Sequence, residues 1–189
     1  SIGNMYLGPF FYYLIAPSLL LANFSPVGPA VFIALLNLAT IVLIYFVAQK
    51  WFNRSIGLIA AFLFALSPVV IKYSNFIWNP NIMPLFSLLF IYFFFEAIIS
   101  QKYRYFIWAS LSFVMVINSH YLGLALLPFP GLCWLFHLYQ QVKTKSKQLK
   151  PFLKNSFIAI LIFILSLTPQ VLFDIKHNGQ NIKALINFF

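Results

Sequence analysis

"AVFIALLNLATIVLIYFVAQ", Ala30 to Gln49, carries no charged side chain and stops at Lys50 and Arg54. A helix needs about 20 predominantly apolar residues to cross a bilayer, and this run supplies them. Upstream, from Ser1, there is no charge at all, and Pro9, Pro17, Pro26 and Pro29 divide the segment. A proline inside a helix removes a hydrogen bond and crowds the preceding turn, so each one marks a break or kink. "YLGPFFYYLIAPSLLLANF" therefore reads as a short aromatic helix and "SPVGP" as a turn.

Downstream the pattern repeats. A second span is expected from about Ser55 to Ile71, followed by the polar interruption "KYSNFIWNPN". A third, "IMPLFSLLFIYFFFEAIIS", ends before Lys102 and Arg104. The uncharged run from Tyr105 to Val142 is too long for one crossing and has "NSHY" at its middle, so two spans are expected to meet there. "KTKSKQLKPFLK" then leads into a last span, about Asn155 to Phe173.

Composition excludes the alternatives. Only 7% of the residues are charged and 62% are hydrophobic. A soluble domain carries roughly a quarter charged residues. The fold class is all-α: a polytopic transmembrane helical bundle of about six spans preceded by a juxtamembrane helix. It is one domain, with 1–30 as juxtamembrane helix and external turn, 31–173 as spans and 174–189 as an external amphipathic segment. In that tail Ile182, Leu185, Ile186 and Phe189 recur at helical spacing. The net charge of +10 could suggest nucleic acid, but the lysines sit in short loops between apolar runs and leave no basic face for it. The single Cys133 excludes a disulfide framework. The start "SIGNMYLGPFF" has neither an initiator methionine nor a basic region, so it is no signal peptide and reads as part of a longer protein.

Loop charge sets the expected orientation. With Lys50 and Arg54 in the cytoplasm, strict alternation also puts Lys102, Arg104, Lys143, Lys145, Lys147, Lys150 and Lys154 there. Only Lys72, Lys176 and Lys183 fall outside, nine cations against three. The same alternation gathers "KYSNFIWNPN", "NSHY" and "DIKHNGQN" on the outer face.

Candidate substrate-binding residues follow: Lys72, Tyr73, Trp78, Asn79, Asn81, His120, Tyr121, Asp174, Lys176 and His177. Tyr73 and Trp78 could anchor at the headgroups or stack on a sugar or lipid. Asn79 and Asn81 flank Pro80 and suit a turn. Lys72 could snorkel or meet a lipid phosphate. His120 is either a hairpin cap or a functional group at the membrane surface. Asp174 could bond a helix end, orient substrate, or pair with Lys176 or His177. Glu96 is expected in an interfacial pair near Lys102 and Arg104, and His137 at the interface. Asn37 and Thr40 are expected to bond between helices. No glycine-rich phosphate loop, zinc-ligand spacing or carboxylate pair is present, so no cofactor is evident and no metal ligands are assigned.

"GPFFYYLIAP", "WFNRSIGLIAAFLFALSP" and "YSNFIWNPN" together resemble membrane glycosyltransferases of the dolichyl-phosphate-mannose–protein mannosyltransferase type. "FDIKHN" is similar to some bacterial members, which include aminoarabinose and galacturonosyl transferases. The resemblance implies a GT-C architecture with the active face extracytoplasmic, in the cytoplasmic membrane of a prokaryote. It implies a polyprenyl-phosphate sugar donor, a lipid, glycan or protein acceptor, and membrane lipids as surroundings, with no nucleic acid. A divalent metal in the full-length protein is compatible with it. It places the "GPFFYYLIAP" helix at the outer surface. The catalytic base it implies is an aspartate in an external loop upstream of Ser1, so the catalytic residue is unknown here and the fragment itself is expected to be inactive. The competing readings are a transporter or flippase of lipid-linked glycans, with a path through broken helices, and a non-catalytic membrane scaffold.

Overall fold

The computed structural model describes residues 6–186, except for the side chain of Leu185. The residues 1–5 and 187–189, and with them the tail position Phe189, lie outside the described part. Ten α-helices follow one another and no strand occurs among the described residues. They are α1 (Phe10–Leu21), α2 (Val27–Trp51), α3 (Arg54–Ala65), α4 (Pro68–Tyr73), α5 (Met83–Ile99), α6 (Tyr105–Ser119), α7 (Pro128–Lys143), α8 (Leu149–Ser166), α9 (Thr168–Lys176) and α10 (Gln180–Ile186). Short 3-10 turns, Asn79–Ile82 and Tyr121–Leu126, lead into α5 and α7.

Four continuous segments are long and apolar enough to cross a membrane: Val27–Trp51, Asn79–Ile99, Tyr121–Lys143 and Leu149–Lys176. The expected count of about six needs α3 and α6 as well, and these are only 12 and 15 residues long. The second expected span, to Ile71, is cut at Ala65 because Pro68 biases Ser67 out of the helical region. Ser67 has ψ 121°, and α4 restarts with Pro68 in its first turn, where a missing N–H costs nothing.

The sharp turn between α2 and α3 has a local cause. Asn53 is extended and its Oδ1 accepts the Ile56 N–H at 2.9 Å, a side-chain cap that starts α3 at once. α3 then runs back against α2 at close range. A Cβ at Gly57 would lie 2.8 Å from the Tyr45 carbonyl oxygen, so the close approach depends on glycine.

α6 is the centre of the bundle, buried on several faces rather than along one stripe. Phe113 meets Phe90 of α5 at 4.8 Å and Phe163 of α8 at 5.5 Å between ring centroids. Phe94 and Phe106 pack at 5.6 Å. Ser110 Oγ donates to the Ala159 carbonyl at 2.6 Å, a bond between helices of the kind that adds about 0.6 kcal/mol in a membrane. Between α5, α6, α7 and α8 lies an apolar cavity of about 400 Å³, walled by Phe90, Phe113, Trp134 and Phe163 among others.

The two ends of the bundle differ. At the lysine-bearing end, Lys50 Nζ pairs with Glu96 at 2.8 Å and also bonds Tyr92 Oη at 3.0 Å. Glu96 thus takes its partner from α2, not from the neighbouring Lys102 or Arg104. His137, expected at the interface, is buried within the protein. Its Nε2 lies 3.1 Å from the Tyr103 hydroxyl, and Gln141 Nε2 donates to that hydroxyl at 3.1 Å. Burial pushes the Tyr103 pKa above its ordinary value. Asn37 bonds across elements as expected, donating to Ser74 O at 3.0 Å, but Thr40 donates back to Leu36 within its own helix.

Candidate functional site

At the opposite end, the predicted residues fall into two groups. The first surrounds α4 and the Asn79–Ile82 turn. Lys72 is exposed at the end of α4, with its Nζ 5.3 Å from the Tyr73 ring centroid. Tyr73, Phe76 and Trp78 form an aromatic cluster with centroid separations of 6.1 to 6.4 Å. Asn81 is occupied by the turn itself: its Nδ2 donates to the carbonyls of Tyr73 and Phe76 at 2.8 and 2.6 Å. Asn79 opens the 3-10 turn and is half-buried.

The second group is built where the ends of α6, α8 and α9 meet the segment before α1. Its centre is a chain of amides. Asn118, fully buried, donates its Nδ2 to Val114 O at 2.8 Å, so its Oδ1 must face outward as an acceptor. Gln170 of α9 donates Nε2 to that oxygen at 2.6 Å. Gly8 lies against this pair, and a Cβ there would overlap Asn118 Oδ1 and Gln170 Nε2. Tyr6 is held at both backbone atoms: its N–H donates to Asn181 Oδ1 at 2.7 Å, and its carbonyl accepts the Tyr121 hydroxyl at 2.9 Å. The Tyr6 ring packs on Phe173 at 4.9 Å, and Phe173 stacks on His177 at 4.1 Å.

Asp174 is buried in this group, and both of its oxygens are already used. Oδ1 accepts the Asn181 N–H at 2.6 Å and Oδ2 the Ile182 N–H at 3.2 Å. Those are first-turn donors of α10, which have no acceptor within the helix. Asp174 is therefore the α10 cap and makes no ion pair with Lys176 or His177. Its backbone carbonyl closes the same turn, accepting from Gly179 N at 2.8 Å, where Gly179 has φ 72°. His120 is likewise a cap, its Nδ1 accepting the Leu122 N–H at 3.1 Å. Lys176 and His177 are exposed, and His177 Nδ1 lies 2.8 Å from Phe173 O.

Tyr121 and Asp174 line one cavity of about 460 Å³ together with Gln170 and Asn181. Sequence reasoning assigned neither of these amides. The signals were present: a lone glutamine in the last apolar run, "TPQVLF", and the amide-rich "NGQN". Among the described residues no hydrogen bond or ion pair joins the Lys72 group to the Asp174 group. Among the described residues no three His, Cys, Asp or Glu side chains come together.

A family model described as dolichyl-phosphate-mannose-protein mannosyltransferase matches residues 7–167. The chain belongs to this family. It is thus an integral-membrane member of a mannosyltransferase family, which agrees with its apolar helices. Neither the curated proteins nor the solved structures gave a match. The mannosyltransferase match ends just before Gln170, so α9 and α10, which wall the 460 Å³ cavity, lie beyond it.

Proposed function

We propose that this chain forms part of an enzyme that transfers a sugar from a polyprenyl-phosphate donor to an acceptor hydroxyl at the extracytoplasmic face of the membrane. The observation that carries this reading is the family match over most of the chain. The orientation rests on charge: nine of the twelve Lys and Arg residues lie in the turns and adjoining helix ends at the Lys50 end. The 400 Å³ apolar cavity favours a donor with a hydrocarbon tail, because it offers a lipid chain carbon surface and almost nothing to bond.

In the reaction the acceptor oxygen forms a bond to the sugar's anomeric carbon, and the bond from that carbon to the phosphate oxygen breaks. The lipid phosphate leaves with the electron pair, and the acceptor proton passes to a base. Lys72 and Lys176, both exposed at the Asn118 end, are the cations that would hold the phosphate. Asp174 is assigned to capping α10 rather than to the base, since each of its oxygens already accepts an α10 N–H. The base comes from outside the described residues, and the chain by itself does not turn over. α1 belongs to the outer surface and does not cross. Tyr12, Tyr13, Leu20 and Leu21 on it are exposed, which suits a helix resting on lipid.

The test is reconstitution of the intact protein in proteoliposomes and an assay of sugar release from polyprenyl-phosphate mannose and related lipid donors. Transfer to an acceptor supports the proposal. Movement of the whole lipid-linked sugar across the bilayer without cleavage would replace it with flipping.

A further inference from the structure

Lys143, Lys145, Lys147, Lys150 and Lys154 gather around the turn from α7 to α8, and all five are exposed. The chain has only two side-chain carboxylates. Glu96 is paired with Lys50, and Asp174 caps α10 at the opposite end of the bundle. None of the five lysines makes an ion pair among the described residues. Helix dipoles account for only part of the cluster. Lys143 ends α7, where a cation is favoured, but Lys150 lies in the first turn of α8, where it is disfavoured.

The turn itself is closed by hydrogen bonds. The Ser146 N–H donates to Gln141 O at 3.0 Å and the Lys145 N–H to Val142 O at 3.1 Å, the pair that ends a helix on a left-handed residue. That residue is Lys145, with φ 47°. Glycine usually fills this position, because a Cβ is strained there. A lysine thus stands where backbone geometry alone favours glycine.

On both helices the lysines continue an apolar stripe. On α7, Leu132, Phe136 and Tyr139 are exposed on one face, and Lys143 is the next residue along it. On α8, Ile164, Leu161 and Phe157 are exposed at the same spacing, and Lys154 and Lys150 follow. None of these apolar residues lines the 400 Å³ cavity. At about 1.5 Å per residue each stripe is about 15 Å long, half of a hydrocarbon core of about 30 Å. That is the depth of one leaflet. A soluble polyanion would meet the charge and leave the stripes unused, whereas a phospholipid uses both.

We infer that the α7–α8 turn binds anionic phospholipids of the leaflet that it faces, one along each stripe. Lys143 holds the phosphate on α7, Lys150 and Lys154 hold the phosphate on α8, and Lys145 and Lys147 add charge between them. This surface lies at the other end of the bundle from the Asn118 and Asp174 group.

The test titrates the intact protein in detergent with dioleoyl phosphatidylglycerol or dioleoyl phosphatidylcholine, and native mass spectrometry counts the lipid bound. Two phosphatidylglycerols should be held in preference to phosphatidylcholine. A lysine at an anionic membrane surface is worth about fivefold in affinity. Lys150→Gln together with Lys154→Gln should therefore weaken one of the two lipids about 25-fold, and Lys143→Gln the other about fivefold. Lys145→Gly removes a charge at a position that suits glycine, so it should weaken phosphatidylglycerol about fivefold with the fold intact, and it decides the matter if another variant fails to fold. Lys183→Gln, at the opposite end, should change nothing. Equal retention of the two lipids would overturn the inference. Unchanged retention in the lysine variants would do so too, leaving the lysines as signals for orientation alone. Displacement of phosphatidylglycerol by inositol hexakisphosphate at equal phosphate concentration would replace the lipid with a soluble polyanion. The readout involves no sugar transfer, so either result stands whether or not that activity is found.

Discussion

Asp174→Ala should open the last helix without harming the bundle. The carboxylate accepts two first-turn N–H groups of α10, at 2.6 and 3.2 Å, and both lose their partner in the variant. A hydrogen bond to a charged group contributes about 1.5–3 kcal/mol, and the longer of these two belongs at the lower end. Water reaches part of this short terminal helix once it loosens, so the net cost is about 2–3 kcal/mol rather than the full sum. Tenfold in an equilibrium is about 1.4 kcal/mol, so α10 should open roughly 30- to 150-fold more often. Asp174→Asn keeps one acceptor for Asn181 and loses the weaker bond to Ile182, for about 1 kcal/mol, or roughly fivefold. Hydrogen exchange followed by mass spectrometry reads this directly. Peptides covering 180–186 should lose protection in that order, while those from α5, α6 and α8 stay unchanged. The reasoning fails if exchange across 180–186 is the same in all three proteins. It fails more sharply if Asp174→Asn leaves exchange intact but lowers sugar transfer 100-fold or more, the loss expected of a general base.

Cysteines placed at Asn79 and Lys145, in a Cys133→Ser background, should react with an impermeant thiol reagent from opposite sides of the membrane; labelling from one side would break the topology. Lys72→Ala or Lys176→Ala should raise the apparent donor KM by a factor corresponding to about 1.5–3 kcal/mol if that lysine holds the donor phosphate, and unchanged values for both would leave them as surface cations. Gly57→Ala should lower thermal stability by about 1–3 kcal/mol, since its methyl would press on the Tyr45 carbonyl, and an unchanged melting temperature would mean that α2 and α3 separate freely. Glu96→Gln should be milder, about 1 kcal/mol, because Lys50 is half exposed and regains water. A thermal melt that drops as far as that of a core truncation would contradict this.

The helices were legible because bilayer partition is written locally, in the length of each apolar run and the prolines that end it. Pro68 and Pro26 marked real boundaries, and α10 appeared where Ile182 and Ile186 predicted a helix. Partners were harder to read. Glu96 sits close in sequence to Lys102 and Arg104, yet it pairs with Lys50 across the bundle. His137 looked like an end residue because the rings that enclose it, Tyr103 and Phe152, come from other segments. Association of helices in lipid is decided by close packing and a few polar bonds, so hydropathy does not encode which faces meet. The same holds at the candidate site. The polar residues of "KYSNFIWNPN" and "NSHY" were visible, but Asn81 and His120 serve turns. Two buried atoms there, Gln170 Oε1 and Asn181 Nδ2, have no partner among the described residues, because the other end of each amide is bonded elsewhere.

Holding Tyr6 by both backbone atoms also sets an order of assembly. Its partners, Tyr121 and Asn181, lie 115 and 175 residues further along the chain. Synthesis at about 5–20 residues per second means that Asn181 is made roughly 9–35 s after Tyr6. Through that interval the Asn181 bond is missing, and the segment is restrained by contacts to residues already made, such as those of Phe11 with Ile33 and Ile82 and, later, the Tyr121 hydroxyl. The segment leading into α1 is thus among the last to be fastened, and the Tyr6–Asn181 bond closes only when nearly the whole described chain has been made.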